Sequence, residues 1–236
     1  MNNIKKCHID EDVYPSLLRD IKKPPNTLFY RGDISILNNN KCVAVIGSRD
    51  CDKQGIQAAS EAGAFLATNS AVVVNGLALG CDTYAIKMAL DNGGKCAVVM
   101  PCGLEHIYPK SNTDIAKSVL DSGGCIISEY PPFMKPTKYT YVERDRLQSG
   151  ISHGVIVVET QSDGGTMHTV RSAKRQKRRI AVYSALLMNM KSGNKLIEEK
   201  YNSLVIKNES DISQFLSNID KDYDKAQGQL KLTWVP

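Results

Sequence analysis

Val43-Ala44-Val45-Ile46-Gly47-Ser48-Arg49 sets a continuous apolar run directly against a glycine turn. A run without polar alternation fits a strand covered on both faces, the situation of a parallel sheet between two layers of helices. Downstream of the turn, Gln54 to Thr68 places Ile56, Ala59, Gly63, Phe65 and Leu66 near helical spacing. Ala71 to Val74 reads as a second strand. Asp82 to Leu90 reads as a second helix, opened by Asp82, a good N-cap type. The alternation continues with a strand at Cys96 to Met100, a helix at Ser111 to Leu120 and a strand at Cys125 to Ile127. Two further strands, Val155 to Val158 and Ile180 to Tyr183, flank a helix over Thr166 to Lys177. Strands and helices in this order predict an α/β fold, a doubly wound and mostly parallel sheet with helices on both faces. The core is expected over residues 41–220. A leader, 1–40, carries Tyr14-Pro15, Leu17-Leu18 and Pro24-Pro25, a short helix followed by a proline break. A tail, 221–236, starts polar and ends apolar in Leu230, Leu232, Trp234 and Val235.

Composition narrows the classes of function. A net charge of +5 over 236 residues permits a polyanionic partner without demanding one, since clustering of charge matters more than its total. The seven cysteines are scattered and form no C-x-x-C pair. Neither a zinc knuckle nor a disulfide framework is indicated, and reduced thiols in a cytoplasmic protein are the expectation. The start, Met1-Asn2-Asn3-Ile4-Lys5-Lys6, lacks the apolar stretch of a signal peptide, and no apolar run approaches the ~18 residues of a membrane span. No G-x-x-x-x-G-K-[ST] and no G-x-G-x-x-G occurs. Metal and cofactor are therefore not expected.

In an open parallel sheet, ligands bind beyond the carboxyl ends of the strands. There the chain places Gly47-Ser48-Arg49, then Asn75-Gly76 to Gly80-Cys81-Asp82, then Glu159 and Asp163-Gly164-Gly165-Thr166. Glycines let a backbone approach a ligand, and N–H groups at helix starts attract phosphate. Tight strand-to-helix turns alone account for the same glycines, so both readings stand at this point. Lys135, Lys138, Arg144 and Arg146 form a second group, interleaved with Tyr130, Tyr139 and Tyr141. Rings to stack on and cations for phosphate suit single-stranded nucleic acid, and a solvated loop suits the same residues. Arg171, Lys174, Arg175 and Arg178 fall on one face of the helix expected from Thr166. Such a face is either solvated or a secondary track for a polyanion. His8, His106, His153 and His168 pair with no Cys or carboxylate as a triad, while Glu129, Glu159 and Asp163 fall near strand ends, where they serve a carboxylate-based hydrolase or cap helices and orient basic side chains.

Taken together, these motifs resemble the DNA-processing protein A (DprA/Smf) family. The resemblance rests on Val43 to Arg49, Asn75-Gly76-Leu77-Ala78-x-Gly80-x-Asp82-x-x-Ala85, Gly103-Leu104-x-x-Ile107-Tyr108-Pro109, Ser128-Glu129-Tyr130-Pro131-Pro132, Arg144-Asp145-Arg146-Leu147, Gly165-Thr166-x-x-Thr169 and Ser192-Gly193-Asn194, all in collinear order. The stretch Leu28-Phe29-Tyr30-Arg31-Gly32 matches what precedes that core. The family implies a Rossmann-like fold, a homodimer, binding of single-stranded DNA and loading of the RecA recombinase onto it during natural transformation. It implies a binding protein rather than an enzyme. Carried over residue by residue, the family's DNA-facing pocket falls on Gly47, Ser48, Arg49, Lys138, Tyr141, Arg144 and Arg146, with Gly164, Gly165 and Thr166 supplying backbone N–H groups.

Several positions depart from the family pattern. Its Arg-Asn-Arg is Arg144-Asp145-Arg146, its upstream phenylalanine is Tyr141, and Leu79, Ile86 and Ser184-Ala185 stand where arginine, histidine and Pro-Gly are usual. The expectation is a minimal member, without the helical domain or winged helix that often flank the core. Two rival readings use the same scaffold. One is a phosphoribohydrolase that cleaves nucleotides, whose Pro-Gly-Gly-x-Gly-Thr-x-x-Glu turn is echoed by Asp163-Gly164-Gly165-Thr166 but without the catalytic glutamate. The other is a sensor of nucleotide messengers.

Overall fold

In the computed structural model, backbone is described for residues 3–232 and side chains for residues 3–222. The chain opens with strand β1 (Lys5–His8), a one-turn helix α1 (Ser16–Arg19), strand β2 (Thr27–Gly32) and a second one-turn helix α2 (Ile36–Asn39). The alternation follows: β3 (Cys42–Ile46), α3 (Lys53–Thr68), β4 (Val72–Asn75), α4 (Cys81–Asp91), β5 (Cys96–Val99), α5 (Thr113–Asp121) and β6 (Cys125–Ser128). Then come α6 (Lys138–Gly150), β7 (Gly154–Val157), α7 (Thr166–Arg175), β8 (Arg179–Tyr183), α8 (Ser192–Lys200), β9 (Leu204–Ile206) and α9 (Glu209–Leu232). Leu230 and Leu232 belong to α9 by their backbone, but the apolar side chains of the tail, with Trp234 and Val235, lie outside the described residues.

The strands form one sheet in the order β1-β2-β6-β5-β4-β3-β7-β8-β9. From β6 to β9 every pairing is parallel, and β2 joins β6 antiparallel. This is the Rossmann-like, doubly wound α/β fold. Its leader contains a short helix, α1, ahead of Pro24-Pro25, and adds two strands that were not expected. Residues 5–8 and 27–32 form an antiparallel pair that extends the sheet, with Phe29 opposite Ser128.

Each central strand splits its side chains between two cores. On one face Val43, Val45, Val73, Val98 and Ile156 pack with Ala59, Ala62, Leu66 and Ala85 of α3 and α4. On the other, Ala44, Ile46, Val74, Val99 and Val157 pack with Leu147, Met167, Val170 and Ala173 of α6 and α7. The period-two alternation that each strand conceals as a sequence is thus present as two buried faces. Six of the seven cysteines are buried in these cores as small apolar side chains.

The closest helix contact sets a testable constraint. Gly63 of α3 lies against α4, where an added Cβ would stand 2.1 Å from the Ala85 carbonyl oxygen. Alanine is the better helix former by up to ~1 kcal/mol, but the clash is with backbone. Gly63→Ala is expected to destabilise the fold by a net of roughly 1–3 kcal/mol, the usual cost of overpacking. Denaturant melts of both proteins check this; an unchanged or raised midpoint refutes the contact.

Candidate functional site

β3 and β7 lie side by side and parallel, yet the chain leaves β3 toward α3 on one face and β7 toward α7 on the other. Their carboxyl ends diverge there, and a crevice of about 520 Å3 opens between the following loops. One wall is Gly47-Ser48-Arg49. Ser48 N–H donates to the Glu159 carbonyl (3.0 Å) and Cys81 N–H donates to the Ser48 carbonyl (3.1 Å), which clamps this loop between β7 and α4. Gly47 is required at its place, since a Cβ would stand 2.5 Å from Cys81 Sγ. The second wall is Gly164-Gly165-Thr166, at a helix start with no side-chain cap. Thr166 Oγ1 donates to the Gly47 carbonyl at 3.0 Å and ties the two loops together. At this edge Gly164 N–H donates to the Gln161 carbonyl (3.0 Å), and Met167 and His168 N–H donate to the carbonyls of Gly164 (3.1 Å) and Gly165 (3.0 Å), which leaves the N–H groups of Gly165 and Thr166 as donors at the positive end of a helix dipole.

The third wall is α6, anchored by a capping box in which Thr137 and Thr140 exchange hydrogen bonds. Tyr141, Arg144, Asp145 and Gln148 all line the crevice, at the i, i+3, i+4 and i+7 spacing of one helix face. The Arg49 guanidinium lies 5.0 Å over the Tyr141 ring. Arg144 is buried, 4 % exposed, and donates through Nη1 to the Val99 carbonyl (2.6 Å) and through Nε to Asp145 Oδ1 (3.2 Å). Its guanidinium fills the space where Gly76 has no side chain; a Cβ there would be 1.8 Å from Nη1. Asp82 completes the floor. It lies inside α4 and accepts from Gly76 N–H (2.9 Å) and Ala78 N–H (3.3 Å), so it shapes the second glycine loop rather than capping its own helix as the sequence suggested. Burial raises the Asp145 carboxyl, and Arg144 opposes that rise.

Eight of the ten primary site residues expected from the sequence therefore share this crevice: Gly47, Ser48, Arg49, Tyr141, Arg144, Gly164, Gly165 and Thr166. Lys138 and Arg146 do not line it. Lys138 is exposed at the first position of α6, one turn ahead of Tyr141 and Val142. Arg146 follows Arg144 by two residues, about 200° around a helix, and so points elsewhere. It pairs with Glu129 Oε2 at 2.7 Å and with Glu143 at 3.5 Å. Of the secondary basic face, Arg171, Lys174 and Arg175 are exposed on α7. Lys174 lies 4.8 Å over the Tyr201 ring, and Arg175 donates to Ser172 Oγ at 2.9 Å. Arg178 is not on that face. It lies beyond the end of α7 and donates to the carbonyls of Leu17 (2.8 Å) and Gly150 (2.9 Å), tying the leader to α6. Glu159 is fully buried near Lys191 and Asp163 is exposed, and neither lines the crevice. Asp145, Gln148, His168 and Thr169 line it without having been singled out as binding residues. Recognising 138–150 as a helix was the missing signal, since helical spacing from Tyr141 leads to Asp145 and Gln148.

The chain was compared with known proteins. The family model of DNA recombination-mediator protein A matches residues 5–217. The DNA processing protein DprA of Streptococcus pneumoniae is 37 % identical over 191 residues, covering 80 % of this chain and 67 % of that protein. That of Bacillus subtilis is 30 % identical over 198 residues, covering 83 % of this chain and 66 % of that protein. The chain thus spans about two thirds of the length of these curated relatives. A solved structure of DNA processing protein A from Helicobacter pylori, described for its unique single-stranded DNA binding mode, superposes with a TM-score of 0.82 at 28 % identity. That match covers 94 % of this chain and 97 % of the other.

Asp82 makes the floor titratable. Burial lifts its carboxyl from 3.8 to about 6, against the pull of Arg144 and the two backbone N–H groups. The folded protein holds this proton more tightly than the unfolded chain, so the stability Asp82 contributes is complete below pH 3.8 and is lost as pH rises through 6. Asp82→Asn keeps an acceptor for both N–H groups and removes the titration. Wild type is expected to lose roughly 3 kcal/mol relative to Asp82→Asn between about pH 4 and 7. Paired denaturant melts across that range measure it; a pH-independent gap means that Asp82 titrates normally.

Proposed function

Because the chain belongs to the DNA recombination-mediator protein A (DprA/Smf) family, we propose that it binds single-stranded DNA across the crevice between β3 and β7. The observation that carries this reading is the pairing of Arg49 over the Tyr141 ring, facing the uncapped start of α7. A cation, an aromatic face and unpaired backbone donors within one open groove are the parts that a strand of alternating phosphates and bases requires. Arg144 serves differently. Its charge is already engaged with Val99 and Asp145, so it shapes the floor and leaves the phosphate to Arg49, to the N–H groups of Gly165 and Thr166 and to Lys138 at the rim.

The reading is of a binding protein that protects a strand and passes it on, not of an enzyme that turns over nucleotides. A homodimer and delivery of the strand to the RecA recombinase belong to the same proposal and draw their support from family membership. The cytoplasm is the proposed location. No described helix is long and apolar enough to cross a membrane.

Salt dependence separates the roles. Each cation that neutralises a phosphate of a single strand contributes about −0.7 to the slope of log K against log salt. Arg49→Ala is expected to flatten the slope by about 0.7 and to weaken all sequences alike. Arg146→Ala is expected to leave the slope unchanged, because Arg146 is held by Glu129 and Glu143. Tyr141→Ala is expected to lose roughly 1–3 kcal/mol of affinity with little change in slope. Fluorescence anisotropy with labelled oligonucleotides over a salt series reads all three. A slope that responds to Lys174→Ala with Arg175→Ala, and not to Arg49→Ala, moves the strand to the face of α7.

A further inference from the structure

Three acids, Asp50, Asp82 and Asp145, line the crevice, and of these Asp145 shares the face of α6 that carries Tyr141. The Asp145 side chain is 14 % exposed. Its two carboxylate oxygens are not equivalent. Oδ1 takes both hydrogen bonds, from Arg144 Nε at 3.2 Å and from Gln148 Nε2 at 3.0 Å. Oδ2 takes none from the described residues, which leaves one fixed acceptor on the crevice wall. Beside it the Gln148 side chain, 3 % exposed, holds its own Oε1 without a partner. Arg144 Nη1 and Nε are tied to Val99 and Asp145 and the Gln148 amide to Asp145, which leaves Asp145 Oδ2 and Gln148 Oε1 as acceptors with no donor bonded to them among the described residues. A phosphate placed here meets a negative charge; a group that brings N–H donors completes the site.

Bases differ in that respect. Cytosine presents an exocyclic N4 amino group where thymine presents the O4 carbonyl, and carboxylates accept from cytosine N4. Tyr141 lies one turn before Asp145 on the same face of α6, so a base stacked on that ring can turn its edge to the carboxylate. Resting on the reading that a single strand occupies this crevice, we propose that Asp145 selects a base by accepting from its exocyclic amino group, which gives the protein a preference for cytosine over thymine in the position stacked on Tyr141. Thymine in the same place sets its O4 against Asp145 Oδ2, two acceptors with no hydrogen between them.

The experiment compares oligo-dC with oligo-dT of equal length by anisotropy at neutral to slightly alkaline pH and fixed salt, first on the wild-type protein and then on Asp145→Asn. Both homopolymers are pyrimidines with the same phosphate spacing, so the comparison isolates the base edge. The expected result is roughly fivefold or greater preference for oligo-dC in the wild type, collapsing toward equal binding in Asp145→Asn, whose amide offers a donor to O4 as well as an acceptor. Equal wild-type affinities for the two oligonucleotides overturn the inference while leaving single-strand binding intact, and this arm needs no variant to fold. A preference that persists in Asp145→Asn also overturns it, because the reader is then another residue. Failure to bind either oligonucleotide overturns the single-strand reading itself.

Discussion

The divergence of two neighbouring parallel strands is the constraint on which this molecule depends. β3 and β7 share a ladder from Val43–Gly154 to Ile46–Val157, but their following helices pack into opposite cores. The gap where the two crossovers part is bordered on one side by α6. What closes it is a pair of glycine-bearing loops, joined by the Thr166 hydroxyl on the Gly47 carbonyl. The crevice is thus a consequence of topology before it is a consequence of any one residue. That is why one side of it is built from backbone, which a doubly wound sheet aims outward at the carboxyl ends of its strands.

Much of this was legible in the sequence, and the reason is that a two-face buried strand leaves a conspicuous trace. Val43 to Ile46 and Val155 to Val158 admit almost no other reading, and α3, α4, α5 and α7 were bounded to within a few residues. The segment 138–150 was not legible. Its Lys-Tyr-Thr-Tyr-Val-Glu-Arg-Asp-Arg run has few apolar residues, and in the helix only Leu147 enters a hydrophobic core. A helix that buries polar side chains (Thr140, Arg144, Gln148 and Ser149) carries no apolar stripe to be found by periodicity. Read as a loop, it made Arg144 and Arg146 neighbours; as a helix, it sets them on different sides.

The leader failed to show itself for a related reason. β2 has buried and half-buried positions mixed along Thr27 to Gly32, so neither the continuous nor the alternating strand pattern appears. Its place in the sheet comes from pairing with β6, a contact across about a hundred residues that local pattern does not encode. Arg178 belongs to the same network. It looked like the last member of a basic helix face, but the helix stops at Arg175, and the guanidinium turns inward to the carbonyls of Leu17 and Gly150. A cation surrounded by carbonyl oxygens is a structural tie, and burial accordingly lowers its pKa. Charge counted along the sequence therefore overstates the cationic surface offered to a polyanion.

The two halves of the crevice have different origins, and this has a consequence for how the site can change. One half comes from the loops after β3 and β7 and presents Arg49 and main-chain groups, the side that meets phosphate on the proposed reading. The half behind it comes from one face of α6, where Tyr141, Arg144, Asp145 and Gln148 are held relative to one another by helix geometry. Arg144 separates the two. Buried against Gly76 and bonded to Val99, it fixes the floor from which both halves are measured. On the proposed reading, substitutions on α6 that spare Arg144 alter what lies against the base and leave the phosphate contacts in place. Substitutions in the glycine loops do the reverse. On that reading phosphate contact and choice of base are carried by separate elements of one fold, the Tyr141 ring on α6 adding stacking to the affinity, and a single acid on α6 changes the choice of base without rebuilding the phosphate contacts.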